Sequence, residues 1–283
     1  MTTATLLISC PDRPGLVHAV AEFVLGINGN VVHAEQHIDT EAGVFFQRVE
    51  FDLDHASIGR DQVAETFAPI AEKFEMDAQV HFSTDRPRVA ILASKQPHCL
   101  TDLLARWHSG ELNAEIVTVI SNHPDHAALA AFHGVPFHHV PVSLENKGAA
   151  YAEMAKLLKD YDTDLVVLAR YMQILDETVL DEFPYRVINI HHSFLPAFAG
   201  ARPYHQAQQR GVKLIGATAH YATRELDEGP IIAQEVAPVS HRDSVADLVR
   251  KGRDLEVVTL AQAVRAHVEH RTLVFGNKTI VFE

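Results

Sequence analysis

Short apolar runs that alternate with helical segments dominate the chain after residue 87. The runs Val89–Ser94, Glu115–Ile120 and Leu165–Ala169 are mostly apolar, and segments with helical spacing separate them. A strand without a polar face is buried on both sides, as in a parallel sheet that helices cover. The pattern therefore predicts an α/β fold with a doubly wound, mostly parallel, Rossmann-like sheet, whose ligands bind beyond the carboxyl ends of the strands.

The first part of the chain has a different order of elements. Strand patterns fall at about 5–10, 30–38, 44–53 and 76–83, with helical spacing at 15–25 and 60–74. This βαββαβ order predicts a ferredoxin-like domain, and we expect Asp12 to cap its first helix, with Pro14 in the first turn. The polar, proline-bearing segment at 84–88 is typical of a linker, so we predict domains at 1–84 and 85–283.

Composition excludes several classes of protein. With 283 residues and a net charge of −13, the chain lacks the basic surface that general nucleic-acid binding requires. No apolar run reaches the ~18–20 residues that span a bilayer, and no basic signal segment precedes the first strand, so we expect a cytoplasmic protein without a membrane partner. Cys10 and Cys99 match no disulfide or ligand spacing, and no histidine motif does, so no metal site is predicted.

Two polar residues interrupt the apolar strand pattern Val187–His191. Residues i and i+2 of a strand share a side, so the amide of Asn189 and the imidazole of His191 should project together. Such a pair can hold a carbonyl oxygen that gains negative charge, and Asp227, in a turn before an apolar strand, can act as a general base or order the imidazole. A structural interpretation remains open for each feature, because paired polar side chains in strands and solvated Asp/Gly/Pro turns are common.

Together these motifs resemble a known family. Asn189-x-His191, the loop Ser193-Phe194-Leu195-Pro196 and Asp227-x-Gly229-Pro230-Ile231 closely resemble the folate-dependent formyltransferases, over about residues 87–283. Four further segments look like those of the formyltetrahydrofolate deformylases within that family: Lys95–Cys99, Arg170–Leu175, His191-His192 and Gly216–Tyr221. The resemblance implies hydrolysis of 10-formyltetrahydrofolate to tetrahydrofolate and formate, with the folate as substrate and without a cofactor.

The same resemblance implies roles for individual residues. Asn189 and His191 should hold the formyl oxygen, His191 as donor to the oxyanion, while Asp227 manages the protons of the attacking water. The substrate-binding residues that it implies are Arg170, Met172, Gln173, Ile174, Leu175, His192, Ser193 and Gly229. Arg170 and Arg202 can neutralise a glutamate tail, whereas Met172, Ile174 and Leu175 are also compatible with plain core packing. We expect His192 to point away from His191 and to support it or exclude an acceptor.

The N-terminal segment also resembles a family. Its strand, the loop Pro11-Asp12-Arg13-Pro14-Gly15-Leu16-Val17 and the following helix look like an ACT domain, over residues 1 to about 83. Such a domain implies an amino-acid effector near Asp12, Arg13, Gly15 and Leu16, or only an interface in a homo-oligomer. Both interpretations remain open.

Two other functions remain as alternatives. A phosphoribosylglycinamide formyltransferase would use an amine acceptor and hold its phosphate in a Gly/Ser/Asn-rich turn after the first strand of this domain. Here that turn is Lys95-Gln96-Pro97-His98, in which the proline removes one N–H donor, so the transferase is disfavoured. A catalytically inactive folate- or amino-acid-binding regulator is disfavoured because Asn189, His191 and Asp227 are all present.

Overall fold

The computed structural model describes residues 2–196 and 203–283, and the chain divides into two units. The first unit is Met1–Arg86 together with Glu269–Leu273 and Ile280–Glu283, and the second is Pro87–Val268 together with Val274–Thr279. No helix among the described residues is both long and apolar enough to cross a membrane.

The first unit includes C-terminal residues that the predicted boundary assigns to the second domain, at 85–283. The Nε of Arg48 donates to the carbonyl of His270 at 3.1 Å, and the backbone N–H of Glu283 donates to Glu35 at 2.8 Å. These bonds join residues more than 200 positions apart, so no local sequence pattern indicates them.

The first unit has the predicted βαββαβ order. Its elements are β1 (Thr3–Pro11), α1 (Leu16–Gly26), β2 (Asn30–Asp39), β3 (Val44–Asp52), α2 (Val63–Phe74) and β4 (Asp77–Phe82). The sheet order is β2-β3-β1-β4 and each pair is antiparallel, as in the expected ferredoxin-like arrangement. The helices cover one face, where Phe23 of α1 packs edge-on against Phe51 and Phe67.

The loop before α1 shows where the capping prediction is wrong. Gly15, not Asp12, is the N-cap residue, and no side chain caps the helix. Gly15 has φ 97°, a left-handed conformation that favours glycine, and the N–H of Asp12 instead donates to the carbonyl of Gly43 at 2.8 Å. Leu16 is buried in the core, and the guanidinium of Arg13 lies 3.2 Å from Glu75. The effector site predicted here stays a prediction.

The second unit contains the predicted alternation of strands and helices. Its elements are β5 (Arg88–Ala93), α3 (His98–His108), β6 (Glu115–Ser121), α4 (Ala127–Phe132), β7 (Phe137–His139), α5 (Lys147–Asp160), β8 (Leu165–Ala169), α6 (Glu177–Leu180), β9 (Val187–His191), α7 (Pro203–Arg210), β10 (Leu214–Tyr221), β11 (Ile231–Pro238) and α8 (Val245–Val268). A short hairpin of β12 (Thr272–Phe275) and β13 (Lys278–Val281) follows.

The large sheet confirms the doubly wound, mostly parallel fold. Its order is β11-β10-β9-β8-β5-β6-β7, with β7, β6, β5, β8 and β9 parallel and with β10 and β11 antiparallel. Alternate residues of β5 enter opposite cores: Ile91 packs in the core with α3 and α8, whereas Leu92 packs in the core with α5 and α6. Burial on both faces explains why these strands lack a polar face.

Candidate active site

The predicted catalytic residues meet at the carboxyl end of β9. Ile188 and Ile190 pack in the core with α8, so Asn189 and His191 face the other side of the sheet. The turn after β10 brings Asp227 to this side, where its Oδ2 lies 3.1 Å from Nδ1 of His191. All three residues line one cavity of about 400 Å³. The i, i+2 spacing of Asn189 and His191 therefore does place both side chains in one site.

His220 completes the site and was not among the predicted residues. It is opposite Asn189 in the antiparallel pair of β9 and β10, and it is almost completely buried. A carbonyl can only accept, so Nδ1 of His220 donates to Tyr221 at 3.0 Å, and in the neutral ring Nε2 accepts from Nδ2 of Asn189 at 3.1 Å. This bond fixes the amide plane of Asn189 and leaves its second N–H for a substrate oxygen. The alternation Thr218, His220 in an apolar strand was the signal available in the sequence.

The carboxylate of Asp227 lies beside two histidines. The hydrogen bond from His191 holds the pKa of the Asp227 carboxyl well below its usual range, despite partial burial, and Nε2 of His220 lies 3.6 Å from the other carboxylate oxygen. A carboxylate this acidic is a weak base toward water, so the geometry favours ordering of the His191 ring over direct proton abstraction.

The turn that carries Asp227 has a demanding backbone. Asp227 itself is in the left-handed region at φ 59°. A Cβ on Gly229 would lie 1.8 Å from the carbonyl oxygen of Tyr221, so only glycine allows this approach. Gly229 does not line the large cavity, and its predicted contact with the substrate stays a prediction.

The other ring nitrogen of His191 has a different environment. Nε2 is buried and has no hydrogen-bond partner among the described residues. A buried polar atom without a partner costs ~1–3 kcal/mol, and it marks the place where a substrate oxygen or water would be held. With Nδ1 donating to Asp227, Nε2 is the nitrogen left for the reaction.

The loop after β8 forms one wall of the cavity. The Ser94 hydroxyl accepts from the N–H of Met172 at 3.0 Å, and the Tyr151 hydroxyl donates to the carbonyl of Ile174 at 2.6 Å. These anchors leave the side chains of Met172 and Ile174 56% and 58% exposed, which excludes core packing for both. Exposed apolar side chains on a fixed backbone suit the flat ring of a ligand. Leu175, by contrast, is in the core with α5.

Some of the remaining predicted residues line the large cavity, and another supports the loop beside it. Arg170, Gln173 and His192 line the large cavity. Ser193 does not, and its carbonyl accepts from the buried hydroxyl of Thr218 at 2.9 Å, which fixes the loop after β9. Arg202 lies outside the described residues.

A buried ionic cluster lies behind the site, on the side that α8 covers. Glu256 is 1% exposed, and its carboxylate contacts His98 at 2.7 Å, Tyr204 at 2.9 Å and Arg170 at 3.2 Å. Burial alone would raise the pKa of the Glu256 carboxyl, but the His98 bond and the Arg170 charge outweigh it and leave the pKa lowered. None of the sequence motifs described above includes this cluster as a whole. A glutamate on the apolar face of α8 was its one signal.

His98 and His192 line the same small cavity as Glu256. His98, Cys99 and Glu256 are the one group among the described residues whose ligand atoms could surround a metal ion, within 4.8 Å of one another. The donor set fits poorly, because His98 and Tyr204 already occupy the carboxylate and burial raises the pKa of the Cys99 thiol. The centroid of the His192 ring lies 5.2 Å from that of His191 and 6.1 Å from that of Tyr204, so the two histidine rings are neighbours and the expectation that His192 points away from His191 is wrong. Burial, with the charges of Arg170 and His191, lowers the pKa of His192 to about 4.

Known proteins share this architecture. The family described as formyl transferase matches residues 87–264. A formyltetrahydrofolate deformylase of Synechocystis sp. is 55% identical over 280 residues, which is 99% of this chain and 98% of that protein. The crystal structure of a formyltetrahydrofolate deformylase from Pseudomonas syringae pv. tomato is 51% identical, with a TM-score of 0.98, and covers 100% of this chain and 95% of that one.

A transferase structure is also similar, but over less of the chain. Glycinamide ribonucleotide transformylase 1 from Symbiobacterium toebii is 33% identical with a TM-score of 0.67. The match covers 97% of that chain and 72% of this one. The two deformylases, in contrast, match both units from end to end.

Proposed function

The chain belongs to the formyltetrahydrofolate deformylase family, and we propose that it hydrolyses 10-formyltetrahydrofolate through Asn189, His191 and Asp227. The observation that carries these residue roles is the pairing of His191 Nδ1 with Asp227, at 3.1 Å, while Nε2 stays without a partner beside the large cavity. The folate ring lies against the exposed side chains of Met172 and Ile174, and Gln173 is available for its polar edge. The folate is the substrate, and no further cofactor is needed for hydrolysis.

The geometry leads to a sequence of proton movements. Water adds to the formyl carbon, and the second N–H of Asn189 donates to the oxygen that becomes negative. His191 Nε2 takes one proton of the attacking water and returns it to N10 of the folate as the C–N bond breaks, which gives tetrahydrofolate and formic acid. The acid loses the second proton to solvent and leaves as formate. Asp227 stabilises the imidazolium that forms between these steps. The low pKa of Asp227 favours His191 as the proton carrier over the carboxylate itself.

Assay of the purified protein tests the function. Formate release from 10-formyltetrahydrofolate without an added amine is the expected result. Turnover that appears only with glycinamide ribonucleotide would support the transferase alternative, and folate binding without formate release would support the inactive regulator.

The first unit supports a proposal about assembly. β2 is one of the two edge strands of its sheet, and Val31, Val32 and Ile38 on it are 42%, 49% and 41% exposed. Exposed apolar edge strands are prone to pair with other strands, so we propose that a second copy of the chain covers β2. Val32→Lys should then shift the particle mass toward the monomer in sedimentation, whereas Val17→Lys, at an exposed position of α1, should not.

An amino-acid effector near Asp12 remains a further proposal. Measurement of activity in the presence of a panel of amino acids tests it.

A further inference from the structure

A smaller cavity of about 190 Å³ lies on the side of the large sheet that α3 and α8 cover. Arg170 and His192 line both this cavity and the large one, so the two spaces are neighbours at the carboxyl edge of the sheet. The rest of the wall includes side chains of three helices: His98, Tyr204, His205, Arg253 and Glu256.

Positive charge predominates in this small cavity. Arg170 and Arg253 are permanent cations, and Glu256 is the one acidic residue that lines it. The Glu256 carboxylate is already in contact with His98, Tyr204 and Arg170, so it has little capacity left to neutralise a second guanidinium.

The guanidinium of Arg170 has N–H donors that make no hydrogen bond within the described residues. Its Nε faces Glu256 at 3.2 Å, and no group among the described residues accepts a hydrogen bond from its N–H groups. The side chain is 13% exposed and lines both cavities. A buried guanidinium with unpaired donors is suited to a carboxylate ligand, which it binds through two parallel hydrogen bonds.

The opposite end of the cavity reaches the surface. Arg253 and His205 are exposed, and Nη2 of Arg253 donates to the side-chain oxygen of Gln96 at 3.1 Å. The small cavity therefore leads from solvent to the back of the reaction site, separate from the large cavity that would hold the folate.

Hydrolysis makes an anion at this point. Formate forms beside Asn189 and His191 while tetrahydrofolate still fills the large cavity. We propose that the small cavity binds the product formate, with Arg170 as its inner contact and Arg253 at its outer end, and releases it to solvent there. Since a water occupies ~30 Å³ of liquid, about 190 Å³ has room for formate and several waters. This inference rests on the proposed function.

Direct binding of formate to the full-length protein tests the inference. Titration with ¹³C-formate, followed by NMR, should give a Kd that rises by about five-fold in Arg253→Glu and by less in Arg253→Gln, as expected for a partly exposed charge. The inhibition constant of formate against turnover should rise by the same factor. The matched control is Arg265→Glu on the same helix, 40% exposed and 12 positions further on, which should leave both constants unchanged.

Two results would overturn the inference. One is a formate Kd that is equal in Arg253→Glu and in the wild type, with both proteins folded by thermal melt. The other is binding of inorganic phosphate that formate fails to displace, because the cavity would then serve a different anion. Failure of the proposed function looks different, since the wild type would release no formate at all.

Discussion

Nδ1 of His191 lies 3.1 Å from Oδ2 of Asp227, and the two side chains are only 7% and 18% exposed. The pair joins the end of a parallel strand to a turn 36 positions later, and it leaves the second nitrogen of the ring for chemistry. Its role in orientation and charge can be separated experimentally from binding.

Replacement of Asp227 by Asn should lower kcat by about 10²–10⁴-fold, because the ring loses the partner that fixes its tautomer and stabilises its charged form. Folate affinity, measured by fluorescence titration, should change by less than about three-fold. Asp254→Asn, at an exposed position of α8, is the matched control. Loss of folate binding in Asp227→Asn would refute the assigned role.

His220→Leu should lower kcat by about ten-fold or more, because the amide of Asn189 loses its orienting bond. His220→Asn, which can restore a polar partner, should recover part of the rate. KM for 10-formyltetrahydrofolate should change by less than kcat in the Leu variant, since the Asn189 amide acts on the oxygen that becomes negative. An equal loss in both variants, with KM raised as much as kcat is lowered, would indicate a packing role only.

The stability of the protein should depend on pH through Asp227. Its pKa is lowered in the folded state relative to about 3.8, so its contribution is complete above that value and is lost as pH falls toward the folded pKa. The Tm difference between wild type and Asp227→Asn should therefore be constant from pH 5 to 7 and shrink below about pH 4. A difference that stays constant down to pH 3 would contradict this linkage.

Tyr151→Phe should raise KM for 10-formyltetrahydrofolate by about two- to ten-fold with a smaller effect on kcat. The change removes the bond to the Ile174 carbonyl that holds the folate-facing loop. Tyr161→Phe, which removes the bond between its hydroxyl and His138, is the comparison variant and should leave KM unchanged. Equal KM values for the two variants would show that the loop needs no such anchor.

Glu256→Leu should destabilise the protein by about 3–5 kcal/mol, because it leaves Arg170 buried without its counter-charge. Chemical denaturation measures this directly. Glu153→Leu, at an exposed position of α5, should stay within about 0.5 kcal/mol of the wild type. A small effect at Glu256 would mean that solvent reaches Arg170 and replaces the carboxylate.

The elements of both units could be predicted because their signals are local. Continuous apolar runs such as Leu165–Ala169 indicate strands that are buried on both faces, and the observed β8 has the same bounds. Helix caps were less predictable. Aspartate is a common N-cap residue, yet Gly15 and not Asp12 is the N-cap residue of α1. The prediction that Asn189 and His191 share one face of the strand was also correct, because the alternation of side chains along a strand depends only on its pleated backbone.

The sequence by itself therefore determined the two folds, the strand that carries Asn189 and His191, and the family resemblance that pointed to Asp227. Only the tertiary structure decided which groups surround them. His220 meets Asn189 through the register of β9 and β10, and Glu256 meets Arg170 across a separation of 86 positions. Such contacts arise when strands and helices pack, so their partners are set by three-dimensional distance rather than by any periodic pattern along the chain.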